Sequence, residues 1–220
     1  KISMDIGASN YIICTNGGVL YNYKNNKIIY KKTIPYEIVK KLFCISYMYD
    51  CRLIFGGINT TYTNKIKHPD SDTLISTITN DIYDNNPITQ ITMSNMDINV
   101  IKKVIEEINK IDGIEISNRH RALYDSSFND CGSIWIDISP LNVNKGNSVL
   151  ELLNYLNINL NDTVRMGDDL NDLPMFFEEG TNVAVNNAIA DLKEKADIIS
   201  PSCENDGVAK VLEDIINEKI

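Results

Sequence analysis

Hydrophobic residues in the last third of the chain fall into short apolar runs that alternate with longer stretches at helical spacing. Segment GNSVLELLNYLN (146–157) places its apolar residues on one helical face, and short β-type runs follow it. The predicted strands are DTVRM (162–166), NVAV (182–185) and DIIS (197–200). The predicted helices cover 146–157, 188–196 and 207–217, with another that begins at Asp172. Strands separated by helices of this length predict a parallel sheet covered on both faces.

The first 34 residues contain one more apolar stretch, YIICTNGGVLYN (11–22), which is interrupted by the turn Asn16-Gly17-Gly18. We interpret this stretch as one more strand of the parallel sheet. A hairpin turn between two antiparallel strands explains the same residues equally well.

The middle of the chain has a different pattern. Segment DINVIKKVIEEINKI (97–111) predicts a strongly periodic helix, and PYEIVKKLFCISYMY (35–49) predicts another. The predicted strands cover 52–55, 87–93, 113–117 and 132–139. Because this α+β block interrupts the α/β pattern, we expect one core from residues 1–34 and 140–220, with residues 35–139 inserted as a second domain.

Charge and composition argue against several classes of function. The net charge of −9 is concentrated in residues 137–220, which carry −10, whereas residues 1–136 carry +1. An acidic half of this kind argues against nucleic acid as a partner, because phosphate contacts need clustered Lys and Arg. The chain has no apolar run near the length of a membrane span and no signal peptide. Its five cysteines form no CxxC pair, so we expect reduced thiols in a cytoplasmic protein.

The strongest candidate for chemistry is RMGDDLNDLPMF (165–176), which holds three carboxylates within five positions. Asp168 and Asp169 directly follow a predicted strand, and Asp172 comes one helical turn later. Ligands of open parallel sheets bind at the carboxyl ends of strands, and Mg²⁺ prefers carboxylate oxygens. The alternative is that Asp172 caps a helix and its neighbours are solvated.

Two weaker features accompany the acidic loop. Lys145, in NVNKGNS (142–148), opens a predicted helix, where its ammonium can offset the charge of a phosphate; an exposed surface lysine is the simpler explanation. The Asn16-Gly17-Gly18 turn offers backbone N–H groups and an amide to a ligand.

Taken in order, these segments resemble the Cof-type branch of the haloacid dehalogenase-like phosphatases. The segments that carry the resemblance are ICTNGGVLY, ISPLNVNKGNSVLELL, MGDDLNDLPMF, NVAVNNAIADLKEKAD and ENDGVAKVLEDI. The ordered, tightly spaced part of the match covers about residues 137–215, and TNGG extends it across the insertion. The resemblance implies a Rossmann-like α/β core, with residues 35–139 as an α+β cap that closes over the site and selects the substrate.

The resemblance also implies a Mg²⁺-dependent phosphomonoesterase that acts on a small phosphorylated metabolite, such as a sugar phosphate, through an aspartyl-phosphate. By position, Asp168 is implied as a Mg²⁺ ligand, Asp172 as a residue that supports the ion directly or through water, and Asp169 as a further candidate ligand. Lys145 is implied to bridge the phosphate and the nucleophile.

Three more positions are implied to contact the substrate. Asn171 helps to hold the phosphate, and Asn16 and Gly17 lie near the mouth of the site.

Two motifs of the family pattern are missing from the sequence. The first, DxDGT, supplies the nucleophile and the acid/base Asp, and Asp5-Ile6-Gly7 is a poor match to it. The second is a Ser or Thr that ends a later strand before the Asn-Gly-Gly turn. We therefore expect the nucleophile to lie upstream of this segment, in an enzyme of about 280–300 residues, and we expect the segment alone to be inactive. The alternatives are a non-catalytic ligand-binding protein of the same fold and a phosphohexomutase of related fold.

Overall fold

The computed structural model describes residues 10–65, 72–125 and 132–217. The chain divides into two compact units, residues 1–143 and residues 144–220. The candidate motif Asp5-Ile6-Gly7 lies outside the described residues. Within them, no helix has both the length and the apolar character needed to cross a lipid bilayer.

The first unit begins with a three-stranded antiparallel sheet. Its strands are β1 (Tyr11–Cys14), β2 (Val19–Asn22) and β3 (Lys27–Lys31), in that spatial order. Cys14 pairs with Val19 across the turn. The prediction of one parallel-sheet strand over 11–22 was therefore wrong, and the hairpin alternative is confirmed. Positive φ angles at Thr15, Asn16 and Gly17 reverse the chain within three residues.

The rest of the first unit is a six-stranded sheet covered by helices. The strands are β4 (Arg52–Gly57), β5 (Thr61–Thr63), β6 (Asp72–Leu74), β7 (Ile88–Asn95), β8 (Ile114–Arg119) and β9 (Ile134–Pro140). Their spatial order is β6-β5-β4-β7-β9-β8, antiparallel except for the β5–β6 pair. The helices are α1 (Tyr36–Met48), α2 (Asn80–Asn85) and α3 (Ile98–Ile108).

The core of this unit forms where alternating strand residues meet the apolar faces of α1 and α3. Helix α3 buries Ile101, Val104 and Ile108, and Asp97 caps its start by accepting a hydrogen bond from the Asn99 N–H at 2.8 Å. Strand β9 buries Ile136 and Ile138 completely. The α+β pattern predicted for the middle of the chain is therefore observed, with β3, β5, β6 and α2 as elements that the pattern did not predict.

The second unit is a parallel α/β arrangement. Strands β10 (Val164–Gly167), β11 (Thr181–Val185) and β12 (Ile198–Ser200) form a parallel sheet in that order. The helices are α4 (Lys145–Leu156), α5 (Ala190–Glu194) and α6 (Gly207–Ile216). The predicted strands and three of the predicted helices are found here, with shorter bounds for the helix over 188–196.

The helix predicted to begin at Asp172 is instead a 3-10 helix over Leu170–Met175, which we call the acidic 3-10 helix. Pro174 lies inside it and has no N–H to donate to an earlier carbonyl, so a regular α-helical ladder cannot form through this position. The chain leaves the helix at Phe176.

The predicted domain division stays a prediction. The observed boundary at 143/144 lies close to the predicted one at residue 140, and the compact units group residues 1–34 with the six-stranded sheet. The membership of residues 1–34 in a core with residues 140–220 is not tested by this grouping.

Candidate functional site

The acidic loop begins where strand β10 ends at Gly167. A Cβ atom at Gly167 would lie 2.5 Å from the Asp172 Cβ and 2.8 Å from its Cγ, which no real side chain tolerates. Glycine at this position therefore lets the acidic 3-10 helix fold back against the end of the strand. The fold-back brings Asp168 and Asp172 together, as the sequence predicts.

The Asp172 carboxylate is the centre of the loop. Asp172 is 4% exposed, and its Oδ2 accepts hydrogen bonds from the Asp168 N–H at 2.8 Å and the Asp169 N–H at 3.3 Å. Two backbone donors on one carboxylate oxygen fix both the side chain and the loop around it.

Asp169, rather than Asp172, caps the helix. Its Oδ1 accepts a hydrogen bond from the Leu170 N–H at 2.7 Å, and Asp172 stands at the third helical position of a reciprocal capping box. The alternative in which Asp172 is the N-cap is therefore wrong, because its side chain points back to the residues that precede the helix.

Lys145 completes this group from helix α4. Its Nζ lies 2.5 Å from Asp172 Oδ1, so the two oxygens of Asp172 serve the ammonium and the loop backbone respectively. Asn144 caps the helix by accepting a hydrogen bond from the Asn147 N–H at 2.9 Å. The simpler explanation of Lys145 as a solvated surface residue is not what the structure shows.

Gly146 explains how the start of α4 comes this close to the acidic 3-10 helix. A Cβ atom at Gly146 would lie 2.0 Å from the Pro174 carbonyl oxygen and 2.5 Å from its carbon. Glycine at position 146 therefore avoids a steric clash with Pro174, and this close packing allows the preceding Lys145 to reach Asp172.

The electrostatics of the loop favour a cation. Burial raises the pKa of the Asp168 carboxyl above its usual range, the carboxylates of Asp172 and Asp169 raise it further, and the Lys145 ammonium opposes the rise. A divalent cation beside Asp168 would favour the charged carboxylate and reverse this effect.

The carboxylates of the acidic loop are chemically suitable ligands for Mg²⁺. Carboxylate oxygens are hard ligands, and Mg²⁺ commonly takes one or two of them together with water and substrate phosphate. Among the residues the structure describes, no three His, Cys, Asp or Glu side chains are grouped so as to hold a metal ion.

The remaining predicted residues lie in two places. Asn171 is a partly buried member of the acidic 3-10 helix. Asn16 and Gly17 form the turn of the β1–β2 hairpin in the first unit. Their assignment to the substrate stays a prediction.

One residue that contacts Asn16 was not among the site residues predicted from the sequence. Asp137 on β9 accepts a hydrogen bond from Asn16 Nδ2 at 3.1 Å through Oδ2 and one from the Thr92 hydroxyl at 2.6 Å through Oδ1. The available signal was a carboxylate inside the apolar strand IWIDIS, on the face opposite Ile136 and Ile138. Asp137 fixes the position of the Asn16 side chain.

Comparison with known sequences assigns the family. A sequence model of the haloacid dehalogenase-like hydrolases matches residues 1–212. The chain belongs to the haloacid dehalogenase-like hydrolases. The resemblance seen in the sequence is therefore confirmed over more than the segments that first indicated it.

Two curated relatives of this hydrolase are named phosphatases. A phosphoglycolate phosphatase of Methanobrevibacter smithii is 29% identical over 213 residues, which are 96% of this chain and 76% of the relative. A 5-amino-6-(5-phospho-D-ribitylamino)uracil phosphatase of Bacillus subtilis is 33% identical over 116 residues, 53% of this chain and 42% of the relative. The match to the second relative therefore covers less than half of that relative's own length.

Solved structures of haloacid dehalogenase-like hydrolases share the fold. One from Bacteroides thetaiotaomicron matches with a TM-score of 0.75 at 22% identity, covering 96% of this chain and 77% of its own. One from B. subtilis matches with a TM-score of 0.78 at 16% identity, covering 96% and 81%. At these identities the likeness supports the fold alone, and it confirms the α/β class of this hydrolase.

Proposed function

We propose that this hydrolase releases phosphate from monoesters of small metabolites in a Mg²⁺-dependent reaction that passes through an aspartyl-phosphate. The observation that carries the proposal is the ion pair between Lys145 and the buried Asp172, formed directly beside Asp168 at the end of a parallel strand. A lysine held in this way is a fixed positive charge, and a fixed charge is what a transferring phosphoryl group requires.

Each residue of the loop has a separate role in the proposal. Asp168 is the carboxylate that would hold Mg²⁺, which when bound neutralises charge on the phosphoryl oxygens. Both oxygens of Asp172 are already engaged by Lys145 and by backbone N–H groups, so Asp172 keeps Lys145 in place and would support a bound ion through water. Asp169 caps the acidic 3-10 helix and is the weaker candidate ligand.

Substrate contacts are assigned to three further residues. Asn171 donates to the phosphate from the acidic 3-10 helix. Asn16 and Gly17 contact the substrate from the hairpin turn, with the Asn16 side chain held by Asp137.

The chemistry has two steps. A carboxylate oxygen attacks phosphorus, the P–O bond to the leaving group breaks, and a second carboxyl protonates the departing oxygen. Water then attacks the acyl phosphate, which releases inorganic phosphate and restores the carboxylate. Neither carboxylate is assigned to a residue of the acidic loop.

The relatives' names support a small monoester as the substrate. Phosphoglycolate and 5-amino-6-(5-phospho-D-ribitylamino)uracil, which those names specify, are both phosphate monoesters of small organic alcohols.

The test is phosphate release from p-nitrophenyl phosphate by the protein, with and without Mg²⁺. Asp168→Ala is expected to lower the Mg²⁺-dependent rate about 100-fold or more, because it removes the ligand of the charge-neutralising ion. Asp191→Ala, which changes an exposed carboxylate on α5, is the matched control. A rate that Asp168→Ala leaves intact would remove Asp168 from the site.

A further inference from the structure

A buried arginine lies on the strand that leads into the acidic loop. Arg165 belongs to β10, three positions before Asp168, and is 5% exposed. Arginine is almost never fully buried in proteins unless other groups compensate its charge and satisfy its donors. The contacts of Arg165 therefore show what its burial achieves.

The Arg165 guanidinium donates to three acceptors within the second unit. Its Nε donates to Asn182 Oδ1 at 3.0 Å, and its Nη1 donates to the Thr163 hydroxyl at 3.1 Å. Its Nη2 donates to the Glu179 carbonyl oxygen. The guanidinium carbon also lies 5.2 Å from the centre of the Phe177 ring, which is within the range of a cation–π contact. One side chain thus joins β10, β11 and the segment that precedes β11.

This segment, residues 176–180, carries the chain from the acidic 3-10 helix to β11, and we call it the return segment. Arg165 holds it at the Glu179 carbonyl, and Asn182 Nδ2 holds it at the Phe177 carbonyl at 2.7 Å. Because Asn182 also accepts from Arg165, the two anchors belong to one hydrogen-bonded group. Two buried side chains therefore fix the return segment against the sheet.

The return segment fixes the far end of the acidic 3-10 helix. Phe176, its first residue, is buried and donates through its N–H to the Leu173 carbonyl at 3.2 Å. The near end is fixed by the Asp172 carboxylate, which accepts from the Asp168 N–H at 2.8 Å. A 3-10 helix has poorer hydrogen-bond geometry than an α-helix. The position of Asp172 therefore depends on the anchors at both ends.

The chemistry of the guanidinium explains why an apolar side chain cannot replace it. Burial lowers the pKa of the Arg165 guanidinium, and the carboxylates of Asp197 and Glu179 offset part of this effect. The three hydrogen-bond acceptors themselves are uncharged groups, so the charge loses hydration without a hydrogen-bonded carboxylate in return. What arginine supplies is a set of donors fixed in one plane. This arrangement suits a residue that holds two strands and a loop together.

We propose that Arg165 is a positioning residue, which holds the return segment so that the acidic loop keeps the geometry needed to bind Mg²⁺. The proposal rests on the proposed function, because that function assigns Asp168 to the ion. The effect of Arg165 passes through the return segment and the acidic 3-10 helix. Loss of Arg165 is therefore expected to loosen the acidic loop selectively and to weaken Mg²⁺ binding.

Amide hydrogen exchange of the full chain, measured by proton–nitrogen NMR without Mg²⁺, tests the positioning. Arg165→Met keeps a long apolar side chain and removes all three donors. The Asp168 and Asp169 amides both donate to Asp172 Oδ2. Their exchange is expected to become about tenfold faster, because buried acceptors that lose their donor favour local opening. The amides of α6 are expected to keep their rates.

Val211→Ala is the matched control for a loss of stability alone. Val211 is 3% exposed on α6, outside the hydrogen-bonded group around Arg165. This variant is expected to speed exchange in α6 without singling out Asp168 and Asp169. A uniform rise across the second unit in Arg165→Met, or no rise at Asp168 and Asp169, would overturn the proposal.

Arg165→Lys decides the question if Arg165→Met does not fold. Lysine keeps the charge, but its compact ammonium cannot reproduce the planar set of donors. The same selective rise at Asp168 and Asp169 is expected. Rates equal to those of the parent protein would overturn the proposal, because a single ammonium would then hold the loop equally well.

Mg²⁺ binding, measured on the same variants by isothermal titration calorimetry, tests the link to the ion. The dissociation constant is expected to rise about tenfold in Arg165→Met, as when other residues that orient metal ligands are removed, and to stay unchanged in Val211→Ala. An unchanged constant in Arg165→Met would overturn the proposal. A parent protein that binds no Mg²⁺ would count against the proposed function, and the exchange rates would still decide whether Arg165 positions the loop.

Discussion

A single carboxylate organises the candidate site at the scale of residues. Asp172 accepts from two backbone N–H groups through one oxygen and from the Lys145 ammonium through the other. A buried carboxylate is stable only when hydrogen-bond donors or a cation compensate its negative charge. Each of the contacts of Asp172 supplies such a donor or cation. The same contacts that stabilise the loop therefore also orient the lysine proposed to act on the phosphate.

Removal of the lysine charge should weaken the fold as well as the chemistry. Lys145→Met keeps most of the aliphatic chain but leaves Asp172 Oδ1 without its cation. The free energy of unfolding is expected to fall by about 1–3 kcal/mol, the usual cost of leaving a buried acceptor without its partner. Urea denaturation followed by circular dichroism measures it. Lys195→Met, at an exposed position, is the matched control; an equal loss in both variants would contradict the role of the pair.

Mg²⁺ binding should be visible in the stability of the protein. Because an ion that binds only the folded state stabilises it, Mg²⁺ at 100 times its dissociation constant is expected to add about 2.7 kcal/mol. Asp168→Asn should abolish the rise in thermal midpoint, and Asp191→Asn should preserve it. The measurement is a thermal scan with Mg²⁺ or with a matched concentration of Na⁺ as the chloride salt. A Mg²⁺ effect that survives in Asp168→Asn would place the ion elsewhere.

At the scale of elements, periodicity predicted the long helices and strands and missed several short ones. Helix α3 was evident because its apolar residues repeat over eleven positions, whereas β5 and β6 have three residues each and carry no readable period. The β1–β2 hairpin was misassigned because an apolar stretch with a central turn fits either one interrupted strand or two paired strands. The antiparallel pairing of β1 with β2 in the structure distinguishes them.

The candidate site was also only partly predictable, because sequence patterns report on neighbouring residues and not on distant contacts. The acidic residues 168–172 follow a strand along the sequence, so local pattern was enough to place them together. The contact of Lys145 with Asp172 spans 27 positions and was not predicted; the family resemblance implied only that Lys145 bridges the phosphate and the nucleophile. Asp137 was missed because its partners Asn16 and Thr92 lie 121 and 45 positions away.

The close approach of α4 to the acidic 3-10 helix yields a prediction at this scale. Gly146→Ala places a Cβ atom 2.0 Å from the Pro174 carbonyl oxygen, so the helix must shift. We expect a loss of about 1–3 kcal/mol in the free energy of unfolding, as for other overpacked sites. The shift also withdraws Lys145 from Asp172.

The matched change is Asn154→Ala, further along the same helix and exposed. Alanine has a high helix propensity, so this variant is expected to stay within about 0.5 kcal/mol of the parent. Chemical denaturation of both variants separates the two effects. Equal stability of Gly146→Ala and the parent would show that the Gly146–Pro174 contact does not constrain the helix.

At the scale of the whole molecule, the two compact units differ in how much core they contain. Eighteen described residues of the first unit form one buried apolar cluster, from Ile34 to Ile138. Six form the cluster of the second unit, from Phe176 to Leu192, and two of them are alanines. Burial of apolar area is the main source of folding free energy. The first unit therefore buries far more apolar surface area than the second.

This difference predicts that the units behave differently when expressed as separate fragments. Residues 1–143 should fold alone with a cooperative urea transition, because the whole cluster from Ile34 to Ile138 lies inside the fragment. Residues 144–220 should not, because a unit of this size with a small cluster buries too little area to offset chain entropy. The single tryptophan, Trp135 on β9, reports on the first fragment by fluorescence. Amide dispersion in proton–nitrogen NMR spectra reports on both. A dispersed spectrum from residues 144–220, or a collapsed one from residues 1–143, would show that cluster size does not decide which unit folds.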